Sequence, residues 1–275
     1  MGQRSLLYRF DDLRRFATAL AAGAGITPAR ASAFVTGLLW FDAADAAPFG
    51  IASLPGWLDL IDRGKVDPAS VGKIVQETAG VAVLDARRAI GPLALARAAE
   101  VAQEKAREIG VGVVRVADLG PLGPAASVAS ALALGPTVGL ILGPGGAFAM
   151  AVPVLETVPA VYDSALAVGS GPADAPGWAA LTLPAWAWPT VAGEGWIVSA
   201  YSVKAIGTLD VFHARVASLL EGSPARPGEV RPDAWRRRRG EAIERGVLLP
   251  ELLKTDFDRW AKRRGIVPPE PIPAR

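Results

Sequence analysis

VAVLDARRAIGPLALARAAEVAQEKAREIGVGVVRVADLGPLG, residues 81–123, decides the fold class. It opens on Val81-Ala82-Val83-Leu84-Asp85, a run with the length and branched apolar content of a strand. Apolar positions at helical spacing follow over 92–109, and Gly110 stops that helix. Residues 111–116, VGVVRV, form a second strand. Strand, helix and strand in close succession imply an α/β core with parallel pairing. Further along, 125–134 reads as a helix and 137–142, 148–152 and 160–162 as strands.

Upstream of this core, residues 10–40 read as two helices around a turn. Asp11 or Asp12 is expected to cap the first, whose apolar residues Leu13, Phe16, Ala17 and Leu20 share a face. Gly23 and Gly25 stop it, and Thr27-Pro28 restarts the chain as an N-cap followed by a proline in the first turn. Residues 54–63 are a further helix ended by Gly64. Downstream, 200–220 reads as helix, and the tail from Arg226 is basic and helical. There Arg236–Arg239 are expected to pair with Glu241 and Glu244 along a solvated face.

Composition narrows the chemistry. The 275 residues are 51% apolar and 20% charged, enough to bury a core without cross-links. Cysteine is absent, which excludes disulfides, thiolate metal sites and a cysteine nucleophile; the single histidine, His213, excludes a histidine-rich metal site. A net charge of +2, with no interleaving of aromatic and basic residues, gives no sign of nucleic acid. Residues 119–155 carry no charge, yet five prolines and seven glycines break them, so they read as buried strands and a short helix rather than a membrane span. No secretory signal is evident at the N-terminus, and a cytoplasmic location is expected. Residues 169–195 hold Trp178, Trp186 and Trp188, with Trp196 just beyond, and read as a loop packed on the core, on a second subunit or on a ligand.

The order of segments resembles the malate/L-lactate dehydrogenase family, the one unrelated to Rossmann-type lactate dehydrogenases, in a strongly diverged and shortened form. LLWFDAADAAPFGI (38–51) sits where that family has an acidic residue and a Ser-His-Gly-Val turn. LPGWLDLIDRGKVDP (54–68), the 81–123 segment, VPAVYDSALAV (158–168), SVKAIGTLDV (202–211), ARPGE (225–229) and RRRRGEAIERGVLLPELL (236–253) follow in the family's order. The resemblance implies a mixed-sheet α/β core beside a helical domain built from both chain ends: 1–72 as the N-terminal helical part, 73–225 as the central domain and 226–275 as helices packing with the N-terminal part. It also implies a dimer, a homodimer or a heterodimer with a related subunit, a small organic acid ligand, and NAD(P) bound without a G-x-G-x-x-G loop; none occurs here between strand and helix.

Carried over position by position, the resemblance points to missing chemistry. The family's Ser-His falls on Pro48 and Phe49, and its carboxylate-binding arginine on Ser53. Its second histidine falls on Asp118, with Gly120 and Gly123 kept; its Asn-Pro falls on Gly146-Ala147 and its Thr-Ser on Leu166-Ala167. Asp42, Asp163 and Lys204 survive. The resemblance therefore assigns Phe49, Ser53 and Asp42 to the substrate side, Gly120, Gly123 and Gly146 to the cofactor side, and Asp118, Asp163 and Lys204 to the residual catalytic groups. Phenylalanine gives up no proton where a histidine would, and loss of a positioned acid costs on the order of a hundred- to ten-thousand-fold in rate.

Three readings follow. The chain has lost ordinary dehydrogenase activity and serves as a binding subunit or partner of an active relative. Or it reduces a cyclic imine, which arrives already protonated. Or it is a lyase, isomerase or cyclase using Asp118, Asp163 and Lys204. Each of these residues also has a plain structural reading: Asp118 as a turn residue, Asp163 as a strand-end cap, Lys204 as a surface cation and His213 as a packed histidine. Asp85 with Arg87 and Arg88 reads as a solvated turn.

Overall fold

The computed structural model describes residues 4–154, 158–167, 195–221 and 224–273. Trp178, Trp186 and Trp188 lie outside them. The chain divides into two compact units, Met1–Ala69 with Asp233–Arg275, and Ser70–Pro232.

The first unit joins the two ends of the chain. Strand β1 (Ser5–Tyr8) leads into α1 (Phe10–Gly23), α2 (Pro28–Ala43) and α3 (Leu54–Asp62). From the far end come α8 (Pro232–Arg245), β10 (Val247–Pro250) and α9 (Glu251–Arg264), and β10 pairs antiparallel with β1. Leu13, Phe16, Ala17 and Leu20 are buried, the face expected of α1. Phe16 meets Phe257 of α9 edge-on, with ring centroids 5.4 Å apart. The cap of α1 differs from expectation. Arg9 occupies that position in extended conformation without a side-chain bond. Asp11 and Asp12 lie inside the first turn, where they pair with Arg14 and Arg15 and favour the positive end of the helix dipole. In α8, Arg238 reaches Asp45 at 3.1 Å and Arg239 lies over the rings of Phe10 and Trp235.

The second unit is built on a mixed eight-stranded sheet among the described residues. Its strands are β2 (Lys73–Glu77), β3 (Val81–Asp85), β4 (Val111–Ala117), β5 (Thr137–Leu142), β6 (Phe148–Val152), β7 (Ala160–Asp163), β8 (Trp196–Ser202) and β9 (Glu229–Val230), in the spatial order β2-β3-β4-β8-β5-β6-β7-β9. The β3–β4 pair is parallel and the other neighbours are antiparallel. Helix α4 (Gly91–Ile109) crosses over between β3 and β4, and packs on β4 and β8; α5 (Ala126–Leu132) packs on β5, β6 and β7. The uncharged stretch is thus buried strand and short helix, and no described helix is long and apolar enough to cross a membrane.

One expected helix is partly strand. Residues 200–202 belong to β8, and helix begins only at α6 (Val203–Ile206) and α7 (Leu209–Glu221). The reason is burial: β8 is hydrogen-bonded on both sides, to β4 and β5, and Ile197, Val198, Ser199 and Ala200 are all buried. A strand covered on both faces lacks the alternation that marks a half-exposed one.

Candidate functional site

In the first unit, the candidate residues sit in the turn between α2 and α3. Asp42 lies in the last turn of α2, and its Oδ2 accepts the Ile51 N–H at 3.0 Å. Gly50 packs its backbone directly on that carboxylate, in space where a Cβ would collide with it. Burial pushes the Asp42 carboxyl up to about 6, against the lowering effect of the Ile51 N–H. Ser53 turns inward as well, its Oγ donating to the Gly50 carbonyl at 2.7 Å. Phe49 is half-buried, with its ring 6.3 Å from that of Phe41. Polar groups in this turn are therefore consumed within it, and its outward surface is Ala47, Pro48 and the open side of Phe49.

In the second unit, the candidates lie along the sheet. Asp118 follows β4, is exposed, and has a φ of 49°. Gly120 and Gly123 lie on the segment between β4 and α5, where the Pro121 carbonyl approaches Gly91 so closely that a Cβ there would collide with it. Gly146 lies in the β5–β6 connection with a φ of 80°. Asp163, at the end of β7, is 2% exposed. Its Oδ1 accepts the Ala165 N–H at 2.8 Å, while Oδ2 is buried without a well-formed hydrogen bond among the described residues. Burial raises this carboxyl to about 6; the N–H groups of Ala165, Ala126 and Ala125 act in the opposite direction. Lys204 is exposed on α6.

The register separates these groups. Tyr201 stands opposite Val111 and Trp196 opposite Val116, so Lys204 lies beyond the start of β4 while Asp118 follows its end. A seven-residue strand, about 20 Å, lies between them. Asp163 is level with Ala149, Ile141, Val198 and Val114 in turn, which places it four strands away from β4, close to 20 Å across the sheet. Asp118, Asp163 and Lys204 of one chain do not share a cleft, which corrects the expectation that the three could shuttle protons together. Asp42, Phe49 and Ser53, by contrast, are brought into one turn.

Residues 8–169, more than half of the chain, match the model of the family described as malate/L-lactate dehydrogenase. The chain belongs to the malate/L-lactate dehydrogenase family. Solved structures agree at the level of the fold. The malate dehydrogenase of Pyrococcus horikoshii aligns with a TM-score of 0.79 at 16% identity, over 99% of both chains. The sulfolactate dehydrogenase of Methanocaldococcus jannaschii aligns at 0.74 and 16%, over 95% of this chain and 98% of that one. The Δ1-piperideine-2-carboxylate reductase of Pseudomonas syringae aligns at 0.69 and 16%, over 93% and 99%. No curated protein matches in sequence.

For a malate/L-lactate dehydrogenase family member, one feature of this chain escapes a reading of residue types. Arg87 and Arg88 both have positive φ. A turn of that hand is normally announced by Asn or Gly, and Ala-Arg-Arg-Ala carries neither signal.

Proposed function

We propose that this family member keeps the dehydrogenase frame without the ordinary reduction of 2-oxo or 2-imino acids. It acts as a small-molecule-binding subunit, either as a homodimer or beside a catalytic relative. The observation that carries this reading is the turn at 47–53. Where the resemblance implies a proton donor and a carboxylate-binding cation, the chain has Phe49 and an inward-turned Ser53. Asp42, the acid buried against this turn, is committed to the Ile51 N–H and packed against Gly50, so its carboxyl holds the turn instead of facing a ligand.

The positions implied for NAD(P) fit that cofactor poorly. Leu166 and Ala167 offer no hydroxyl, and Gly146 no side-chain donor. The first N–H groups of α5 face the buried carboxyl of Asp163, an acidic neighbour that disfavours a phosphate there. Titration with NADH and NADPH, followed by tryptophan fluorescence, tests the reading. No saturable quenching is expected, and no consumption of either cofactor with pyruvate, oxaloacetate or Δ1-piperideine-2-carboxylate. Tight saturable binding, or turnover with the cyclic imine, would replace it with the imine-reductase reading.

A further inference from the structure

Asp163 closes β7 and serves two helical turns at once. Its Oδ1 accepts the Ala165 N–H within the 3-10 turn Ser164–Leu166, which it caps. The Ala125 and Ala126 N–H groups at the start of α5 face the same carboxyl. Helix geometry leaves them without an acceptor of their own, because the first closed bonds of α5 run from the Val128 and Ala129 N–H groups to the Ala125 carbonyl. The junction is tight on its other sides. The Asp163 N–H donates to the Gly228 carbonyl at 2.9 Å, and a Cβ on Gly228 would collide with the Asp163 carbonyl. Ser164 Oγ accepts the Phe148 N–H at 3.0 Å, which ties the turn to the start of β6.

The side chain sits in this junction at 2% exposure, with Oδ2 buried and unanswered among the described residues. No cation is placed to balance it. Residues 119–155, which include α5 and β6, carry no charge, and neither does the Ser164–Leu166 turn. In the segment behind, Arg226 is exposed and Glu229 pairs with Arg231 at 3.0 Å. Tyr162 points to the opposite face of β7. An ionised carboxyl here is an uncompensated buried charge, and burial outweighs the three N–H groups in raising its pKa to about 6.

We propose that Asp163 is a pH-sensitive latch: protonated, it holds the Ser164–Leu166 turn against the start of α5, and ionised, it opens that junction to water while the rest of the sheet stays folded. In the opened arrangement the carboxyl returns to its ordinary range near 3.8, so rising pH favours opening between about pH 4 and pH 6. Leu166 and Ala167 move with the turn, and the Phe148 contact couples it to the connection that holds Gly146. The latch thus controls the positions implied for NAD(P), whatever ligand reaches them, and does not rest on the reading above.

The test uses the full-length, 15N- and 13C-labelled chain. The side-chain carboxyl carbon of Asp163 should titrate with a midpoint above the ordinary carboxylate range; a group still ionised at about pH 4 would overturn the proposal. The Ala126, Phe148 and Ala165 amides, corrected for intrinsic exchange rates, should lose about tenfold or more of their protection between about pH 4.5 and pH 7. At neutral pH their exchange should be insensitive to urea below the unfolding transition, the mark of an opening that exposes little surface, while the amides of β4 and β8 accelerate. Asp163→Asn keeps an acceptor for the Ala165 N–H and removes the charge, so the three amides should lose this pH dependence. Unchanged protection across the range, the same pH dependence in Asp163→Asn, or urea dependence equal to that of β4 and β8 would overturn the proposal. Saturable quenching by NADH would overturn the proposed function and leave this latch standing.

Discussion

Asp42 and Gly50 act as one device at the scale of single residues: the carboxyl closes the turn through the Ile51 N–H, and the missing Cβ makes room for it. Gly50→Ala forces the carboxyl out of its place, with an expected loss of about 1–3 kcal/mol, read as a lower urea midpoint at pH 7. The raised carboxyls give stability a definite pH dependence. Asp42 and Asp163 both stand at about 6 in the folded chain, against an ordinary value of 3.8. Between about pH 4 and pH 6 the folded chain thus holds protons that the unfolded chain has released. Stability is present below that window and falls as pH rises through it, by at most about 3 kcal/mol for each group. Asp42→Asn keeps an oxygen for the Ile51 N–H and removes one of the two titrations. Its urea midpoint should fall less steeply than that of the unsubstituted chain from pH 4 to pH 7, with the curves closest at the acid end; parallel curves would show that Asp42 is not one of the groups responsible.

Elements differ in how plainly their residues announce them. Branched apolar runs and a glycine stop make β3, α4 and β4 legible in residues 81–117, and β5 and β6 follow the expected bounds. Strand β8 was hidden because a strand bonded on both edges and covered on both faces has no polar alternation, and its small residues run directly into α6. That single omission also hid part of the site. With β8 inserted antiparallel between β4 and β5, Lys204 falls at the opposite end of the strands from Asp118, and β5 and β6 carry Asp163 away from both. That Asp42, Phe49 and Ser53 share one turn was legible because it depends only on neighbours within a dozen positions, whereas the Asp118–Asp163–Lys204 geometry depends on strand order. The contact between α4 and β4 offers a test at this scale. Gly112 lies so close to the Ala102 carbonyl of α4 that a Cβ would collide with it. Gly112→Ala should lift the helix from the sheet at a cost of about 1–3 kcal/mol, lowering the melting temperature by several degrees and weakening amide exchange protection in β4.

Across the whole molecule, the two units draw their cores from different parts of the chain. Ser70–Pro232 is continuous and builds its sheet from its own strands, whereas the helical unit needs both ends of the chain. Its far end is anchored by Phe257 and by Trp260, which is 1% exposed beneath the guanidinium groups of Arg259, Arg263 and Arg264. Arg263 and Arg264 are held in turn by Asp62 at the end of α3. Trp260→Ala removes the ring on which all three arginines rest, and an aromatic lost from a core costs about 3–5 kcal/mol. The Trp260 Nε1 is buried without a partner among the described residues, so Trp260→Phe loses ring volume but no hydrogen bond, and is expected to be the milder substitution. If the helical unit depends on this anchor and the sheet does not, Trp260→Ala should loosen amide protection in α1, α3 and α9 at temperatures where β3, β4 and β8 remain protected. Trp260→Phe should keep protection in both. Simultaneous loss of protection from helices and sheet in Trp260→Ala would mean that the anchor at the chain's end stabilises the sheet as well.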